Sequence, residues 1–194
     1  MGYSRAELAR YRGACLPDLL GDDVRLLFVG INPGLLTAAV QAHFARPGNR
    51  FYPALYRAGI TDRLIVAGDG YRAEDLAHLQ DRGVGITNVV EHATARAAEL
   101  TRPELLAGGR ALVSRVERIK PRVVAVLGLT AYRVAFDRSK AKAGRQAERL
   151  GGAELWVAPN PSGLNAHARL ADLAAAYREV AVAAGIDVLP VPVG

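Results

Sequence analysis

The sequence has one cysteine, Cys15, in 194 residues. A lone thiol closes no internal disulfide and supplies no cysteine cluster for zinc or iron–sulfur. A reducing, cytoplasmic setting is the expectation. Lysine is almost as scarce, since 22 of the 25 basic residues are arginine. Long apolar runs are missing as well. None approaches the ~18–20 residues that a membrane-spanning helix needs. The N-terminal stretch MGYSRAELARYRG lacks the apolar centre of a secretory signal. These absences set aside disulfide-stapled, metal-cluster and membrane-spanning classes, and neither a membrane nor a metal is expected as partner.

What is present is a chain long enough to bury a core. At this size roughly 70% of the unfolded chain's surface is removed from water on folding. One domain over residues 1–194 is expected, with its core at about 24–184 and both termini peripheral. The formal charge is +6 and the pI about 9.8, a mild bias towards polyanions. Arginine suits phosphate and base-edge contacts better than lysine. A composition rich in alanine and glycine accounts for the arginine excess equally well, so charge alone decides nothing.

Four short apolar runs, Val24–Gly30, Val84–Val90, Arg122–Gly128 and Glu154–Pro159, read as strands of a parallel sheet covered on both faces. Helical patterns lie between them. Thr101-Arg102-Pro103-Glu104 is a capping-box start with proline in the first turn, and Pro121 stops that helix near Lys120. Leu170, Leu173, Tyr177 and Val180 mark a second amphipathic helix. Tyr52–Ala58, Ala73–Gln80 and Thr130–Phe136 are shorter candidates. Strands alternating with helices predict a three-layer α/β/α fold around a central four-stranded parallel sheet. Arg138–Arg149, polar and basic, reads as a solvated loop.

In open parallel sheets, ligands bind beyond the carboxyl ends of the strands. Here the first strand runs into Gly30-Ile31-Asn32-Pro33-Gly34 and the fourth into Pro159-Asn160-Pro161-Ser162-Gly163-Leu164. Proline fixes the turn, glycine admits a ligand to the backbone, and asparagine presents a neutral amide at a set position. A single Asn-Pro turn is ordinary. Two at the strand ends of one sheet fit a site as well as they fit two ordinary turns.

GINPGL, then HFARPGNRF, then GITNVVEHAT, then NPSGL, in this order, resembles the mismatch-specific uracil-DNA and thymine-DNA glycosylase family, over about residues 26–177. The resemblance implies a uracil-DNA glycosylase-like fold and a monofunctional enzyme of base excision repair. Such an enzyme flips uracil, thymine, ethenocytosine or another modified pyrimidine from a guanine mismatch and hydrolyses its N-glycosidic bond. In that family the asparagine of GINPG holds the attacking water, which gives Asn32 the catalytic role. Phe44 stands where an aromatic stacks on the flipped base. Backbone groups of Ile31 and Phe44 are expected at the base edge. Asn88 is a pocket residue that resembles the thymine-active branch, where the bacterial G:U branch often has lysine. His43 lies near the leaving base or is a lone surface histidine. Gly163, Leu164 and Asn165 form the wedge that fills the hole in the stack, and Asn160 and Ser162 are candidates for phosphate contact. Bacterial relatives often carry arginine two places after the wedge leucine, where this chain has Ala166.

The partner implied is double-stranded DNA with a G:U or related mismatch, bound by a nucleoid-associated monomer. No cofactor is implied, because water is the nucleophile and no lysine stands at either motif to attack the sugar. An abasic site without strand cleavage is the expected product. The highly active uracil glycosylases place Asp and His where this chain has Asn32 and Asn160, and the iron–sulfur branch needs four cysteines. Neither fits. Among the carboxylates, Glu91, Asp62 and Asp69 lie close enough in sequence to be considered, and an arginine-paired or solvated acid is the expectation for Glu91. A second reading keeps the fold but makes the protein a mismatch- or damage-binding module with negligible turnover. A third, a hydrolase of free nucleosides, conflicts with the wedge and the arginine excess.

Overall fold

The computed structural model describes residues 2–163 and 168–190. Its centre is a sheet of five strands in the order β2-β1-β3-β5-β4. Four strands are parallel: β1 (Leu26–Gly30), β2 (Val84–Asn88), β3 (Val123–Leu127) and β5 (Ala153–Ala158). They match the four apolar runs. Every residue of β1, β2 and β3 is buried, because helices cover both faces.

Side chains alternate across the sheet and feed two cores. On one face Leu26, Phe28, Ile86 and Ala125 pack against α3 (Phe51–Arg57), α4 (Ala73–Asp81) and α7 (Leu170–Ala183). Phe28 sits at the middle of this core, with the rings of Phe51 and Tyr177 each 5.2 Å away. On the other face Leu27, Val29, Val124 and Val126 pack against α5 (Arg102–Ile119) and α6 (Leu129–Ala135). Two short helices, α1 (Arg5–Ala9) and α2 (Leu35–Val40), complete the set. The α5 boundaries follow the sequence signals. Thr101 and Glu104 form a reciprocal capping box, and Lys120 ends the helix at φ 55°, one residue before Pro121.

The sheet differs from the expectation by one strand. Residues expected as a solvated loop form β4 (Gly144–Leu150), antiparallel to β5. Only Leu150 of β4 is buried, so no apolar run marks it. Its signal is the connection to β5: Gly151 and Gly152 both have positive φ, as a type I′ hairpin turn requires. Arg145 and Arg149 on this edge strand oppose strand addition by another chain. The opposite edge, β2, is partly covered by the N-terminal segment. There Leu19 and Ile86 exchange both backbone hydrogen bonds, at 2.8 and 2.9 Å.

Candidate active site

A pocket of about 340 Å³ opens beyond the carboxyl ends of β1 and β2. Its walls come from the Gly30–Gly34 loop, the segment around Phe44, the end of β2 with the loop after it, and the Asn160–Ser162 turn. Among the described residues, no aspartate or glutamate lines it.

Asn32 is half-buried, and its amide orientation is fixed. Its Nδ2 donates to Thr94 Oγ1 at 2.8 Å, to the Pro33 carbonyl at 3.1 Å and to the His92 carbonyl at 3.2 Å. The Thr94 hydroxyl donates onward to the Arg96 carbonyl at 2.9 Å, so it meets Asn32 as an acceptor. A flipped amide would set Oδ1 against three acceptors. The nitrogen is therefore used inside the protein, and Oδ1 remains to accept from a molecule in the pocket.

Phe44 forms one wall. Its backbone lies in the left-handed region at φ 56°, a conformation costing about 1–3 kcal/mol for a non-glycine residue. Its ring stacks on the buried Phe51 with centroids 4.1 Å apart and planes 26° from parallel. Gly30 makes the floor. A β-carbon there would come within 2.5 Å of Asn88 Oδ1 and 3.3 Å of the Phe44 ring, so glycine is needed for both groups to approach.

Asn88 closes β2 opposite Gly30 and is buried. Its Nδ2 lies 3.4 Å from His43 Nδ1. His43 Nε2 lies 3.1 Å from the Pro17 carbonyl, which only an N–H can satisfy. His43 is thus the Nε2–H tautomer, and its Nδ1 accepts from Asn88. His43 is 2% exposed, which corrects the surface-histidine alternative. Burial, opposed by the Pro17 hydrogen bond, pushes it down to about 4, so the ring is neutral at physiological pH. The Ile31 carbonyl accepts from Val90 N–H at 2.9 Å and extends the β1–β2 pairing past the strand ends.

The family model of the uracil DNA glycosylase superfamily matches residues 17–181. The chain belongs to the uracil DNA glycosylase superfamily. Its fold is similar to the solution structure of a candidate uracil DNA glycosylase from Methanosarcina acetivorans, with a TM-score of 0.56 and 19% identity over 88% of this chain and 98% of that one. That likeness is one of fold.

In this superfamily member the second Asn-Pro turn is built differently from the first. Asn160 Oδ1 accepts from Ser162 N–H at 2.9 Å, closing the turn on itself. Arg50 grips the loop from beneath. Its backbone N–H donates to Pro161 O at 3.0 Å, and its guanidinium donates to the carbonyls of Ser162 and Ala168. Gly163 packs so near Gly48 that a β-carbon would lie 2.7 Å from the Gly48 carbonyl. Asn160 and Ser162 line the same pocket as Asn32, Ile31, His43, Phe44 and Asn88. Leu164, Asn165 and Ala166 lie outside the described residues.

The carboxylates face elsewhere. Glu91 pairs with Arg115 at 3.1 Å and Asp62 with Arg63 at 3.0 Å, while Asp69 lines a separate depression beside Tyr3 and Glu7. Sequence reasoning missed Thr94 and Arg115. Thr94 stands in the quoted GITNVVEHAT stretch, but its role depends on a contact 62 residues away in the chain. Arg115, buried on α5, holds the end of β2 through Thr87 Oγ1 at 3.0 Å and the Asn88 carbonyl at 2.8 Å. Nothing in the α5 pattern distinguishes it from a surface arginine.

Proposed function

We propose that this protein is a monofunctional DNA glycosylase that removes uracil, or a closely related pyrimidine opposite guanine, from duplex DNA and leaves an abasic site. One observation carries the reading: the Asn32 amide is locked with its nitrogen inward, leaving Oδ1 as an acceptor in a pocket walled by the ring of Phe44, whose backbone is left-handed. Superfamily membership supplies the reaction class.

The chemistry then follows from the groups present. The flipped base stacks on Phe44, an interaction worth ~1–3 kcal/mol per base. The buried amide of Asn88 meets the pyrimidine edge, and neutral His43 fixes which way that amide points. As the N-glycosidic bond breaks, its electron pair leaves with the base and positive charge develops on the sugar. A water accepted by Asn32 Oδ1 bonds through its oxygen to the anomeric carbon, and the proton it loses reaches the departed base through solvent. An amide takes no proton as a carboxylate does. Without a general base the enzyme forgoes on the order of 10²–10⁴ in rate, which makes it slow. No lysine among the lining residues forms an imine with the sugar, in keeping with a product lacking strand cleavage.

Single-turnover excision from a labelled G:U duplex, with hot alkali to reveal abasic sites, tests this. Wild type is expected to release uracil and Asn32→Ala to lose most of the rate. Binding without release by both proteins would instead support a mismatch-binding module of the same fold. The pocket without a carboxylate is the feature that favours this second reading.

A further inference from the structure

Three hydrogen bonds beside the pocket close into a ring. The Tyr52 hydroxyl lies 2.9 Å from the His43 carbonyl, an atom that only accepts, so Tyr52 donates there. The His43 N–H donates to the Tyr71 hydroxyl oxygen at 3.1 Å. The two hydroxyls are 2.7 Å apart. Tyr52 has already committed its single proton, so Tyr71 is the donor between them. Each hydroxyl gives one hydrogen bond and takes one, and both polar groups of the His43 backbone are held by tyrosines from other parts of the fold. Tyr52 belongs to α3, and Tyr71 follows Gly70 just before α4.

The residue next to this ring is Phe44, at φ 56°. A non-glycine residue keeps such a backbone only where its surroundings over-determine it. The downstream side supplies the Phe51 stack at 4.1 Å. The upstream side supplies the tyrosine ring. We infer that Tyr52 and Tyr71 are positioning residues: by gripping the His43 backbone they hold Phe44 in its left-handed conformation and keep its ring presented to a flipped base. The inference rests on the glycosylase reading for the occupant of the pocket, but the grip itself belongs to the free protein. Burial pushes the Tyr71 hydroxyl up to about 12 and raises Tyr52 well above its usual value, so both protons stay in place throughout the working range. Neither hydroxyl lines the pocket.

The test is a double-mutant cycle, because a residue acting through Phe44 loses its influence once the ring is gone. Tyr71→Phe and Tyr52→Phe remove one hydroxyl each and keep the core packing. Each is expected to slow single-turnover release from a G:U duplex about fivefold with Phe44 present, and less than twofold in a Phe44→Ala background. Equal losses in both backgrounds overturn the inference, since they describe a general structural role. A second arm needs no substrate. In the free protein the Phe51 face 4.1 Å away is expected to shift the Phe44 ring protons, and the hydrogen bond to Tyr71 is expected to protect the His43 amide from exchange. Both tyrosine variants are expected to move those ring shifts towards free-phenylalanine values, and Tyr71→Phe to speed His43 amide exchange at least tenfold. Unchanged ring shifts in both variants overturn the inference whatever the enzyme does. If wild type releases no base, the glycosylase reading fails, and the ring shifts still decide the role of the tyrosines.

Discussion

Asn32-Pro33 and Asn160-Pro161 are the same dipeptide at two strand ends of one sheet, and they are wired in opposite senses. Asn32 commits its amide nitrogen to three acceptors, one in its own loop and two in the loop after β2, and leaves the oxygen open. Asn160 commits its oxygen to the backbone N–H two residues on. The first arrangement takes three partners, two of them about 60 residues away in the chain. The second turns its oxygen back onto its own loop. A dipeptide places an amide, and its neighbours decide which end of the amide is available. One Asn-Pro leaves its amide oxygen open, and the other uses that oxygen to close its own turn.

The sharpest way to break this comparison is to truncate both asparagines. Asn32→Ala is expected to lower single-turnover base release by about 10²–10³, the cost of removing one preorganised polar group at a reacting centre. Asn160→Ala is expected to lower it by no more than about tenfold, mostly through weaker duplex binding. Equal losses would mean that both turns act on the substrate in the same way. The next effect in size comes from Thr94, whose hydroxyl holds the Asn32 amide nitrogen at 2.8 Å. Thr94→Val removes an acceptor from Asn32 and leaves its amide freer to flip. The maximal rate is expected to fall about tenfold with duplex affinity nearly unchanged, as active-site titration beside single-turnover kinetics would show.

The last effect concerns stability rather than rate. His43 titrates at about 4 in the folded protein against about 6.5 when unfolded, so between those values the unfolded chain binds more protons. Stability is therefore full above about pH 6.5 and falls as the pH drops towards 4, with this one group contributing roughly 3 kcal/mol at most. His43→Gln keeps a donor for the Pro17 carbonyl without a titratable ring. Urea melts at pH 7 and pH 4.5 should show a smaller acid loss in that variant. The same loss in both proteins would exclude His43 as its source.

The strands and helices that form the core were legible in the sequence because their signals are local. Apolar runs gave β1, β2, β3 and β5, and a capping box with a following proline gave both ends of α5. Strand β4 escaped because its only buried residue is Leu150, leaving Gly151-Gly152 as its sole punctuation. The pocket was legible in part. The two turns, Phe44 and Asn88 stand where motif order put them, and all line one cavity. The supporting groups were not visible. Thr94, Arg115, Arg50, Tyr52 and Tyr71 act through contacts between segments distant in the chain, and a hydroxyl that closes a hydrogen-bond ring has the same letter as one that merely packs. Burial also decided between two local readings, since His43, which the sequence left either near the base or at the surface, is enclosed.

The segment around Pro17 and Leu19 has a consequence for where the chain tolerates shortening. Leu19 occupies backbone positions of Ile86 that a strand from another molecule would otherwise take, and Pro17 supplies the oxygen that sets the His43 tautomer. A version of the protein beginning at Asp23 would retain every pocket side chain but lose Leu19 from one core and Leu20 from the flank of the other, and it would offer an unguarded β2 margin to its own copies. Its expected faults are self-association along that margin and some loss of stability, accompanied by an imidazole free to exchange its proton between nitrogens. The first two dozen residues are the selvedge of the sheet as well as the outermost support of the pocket.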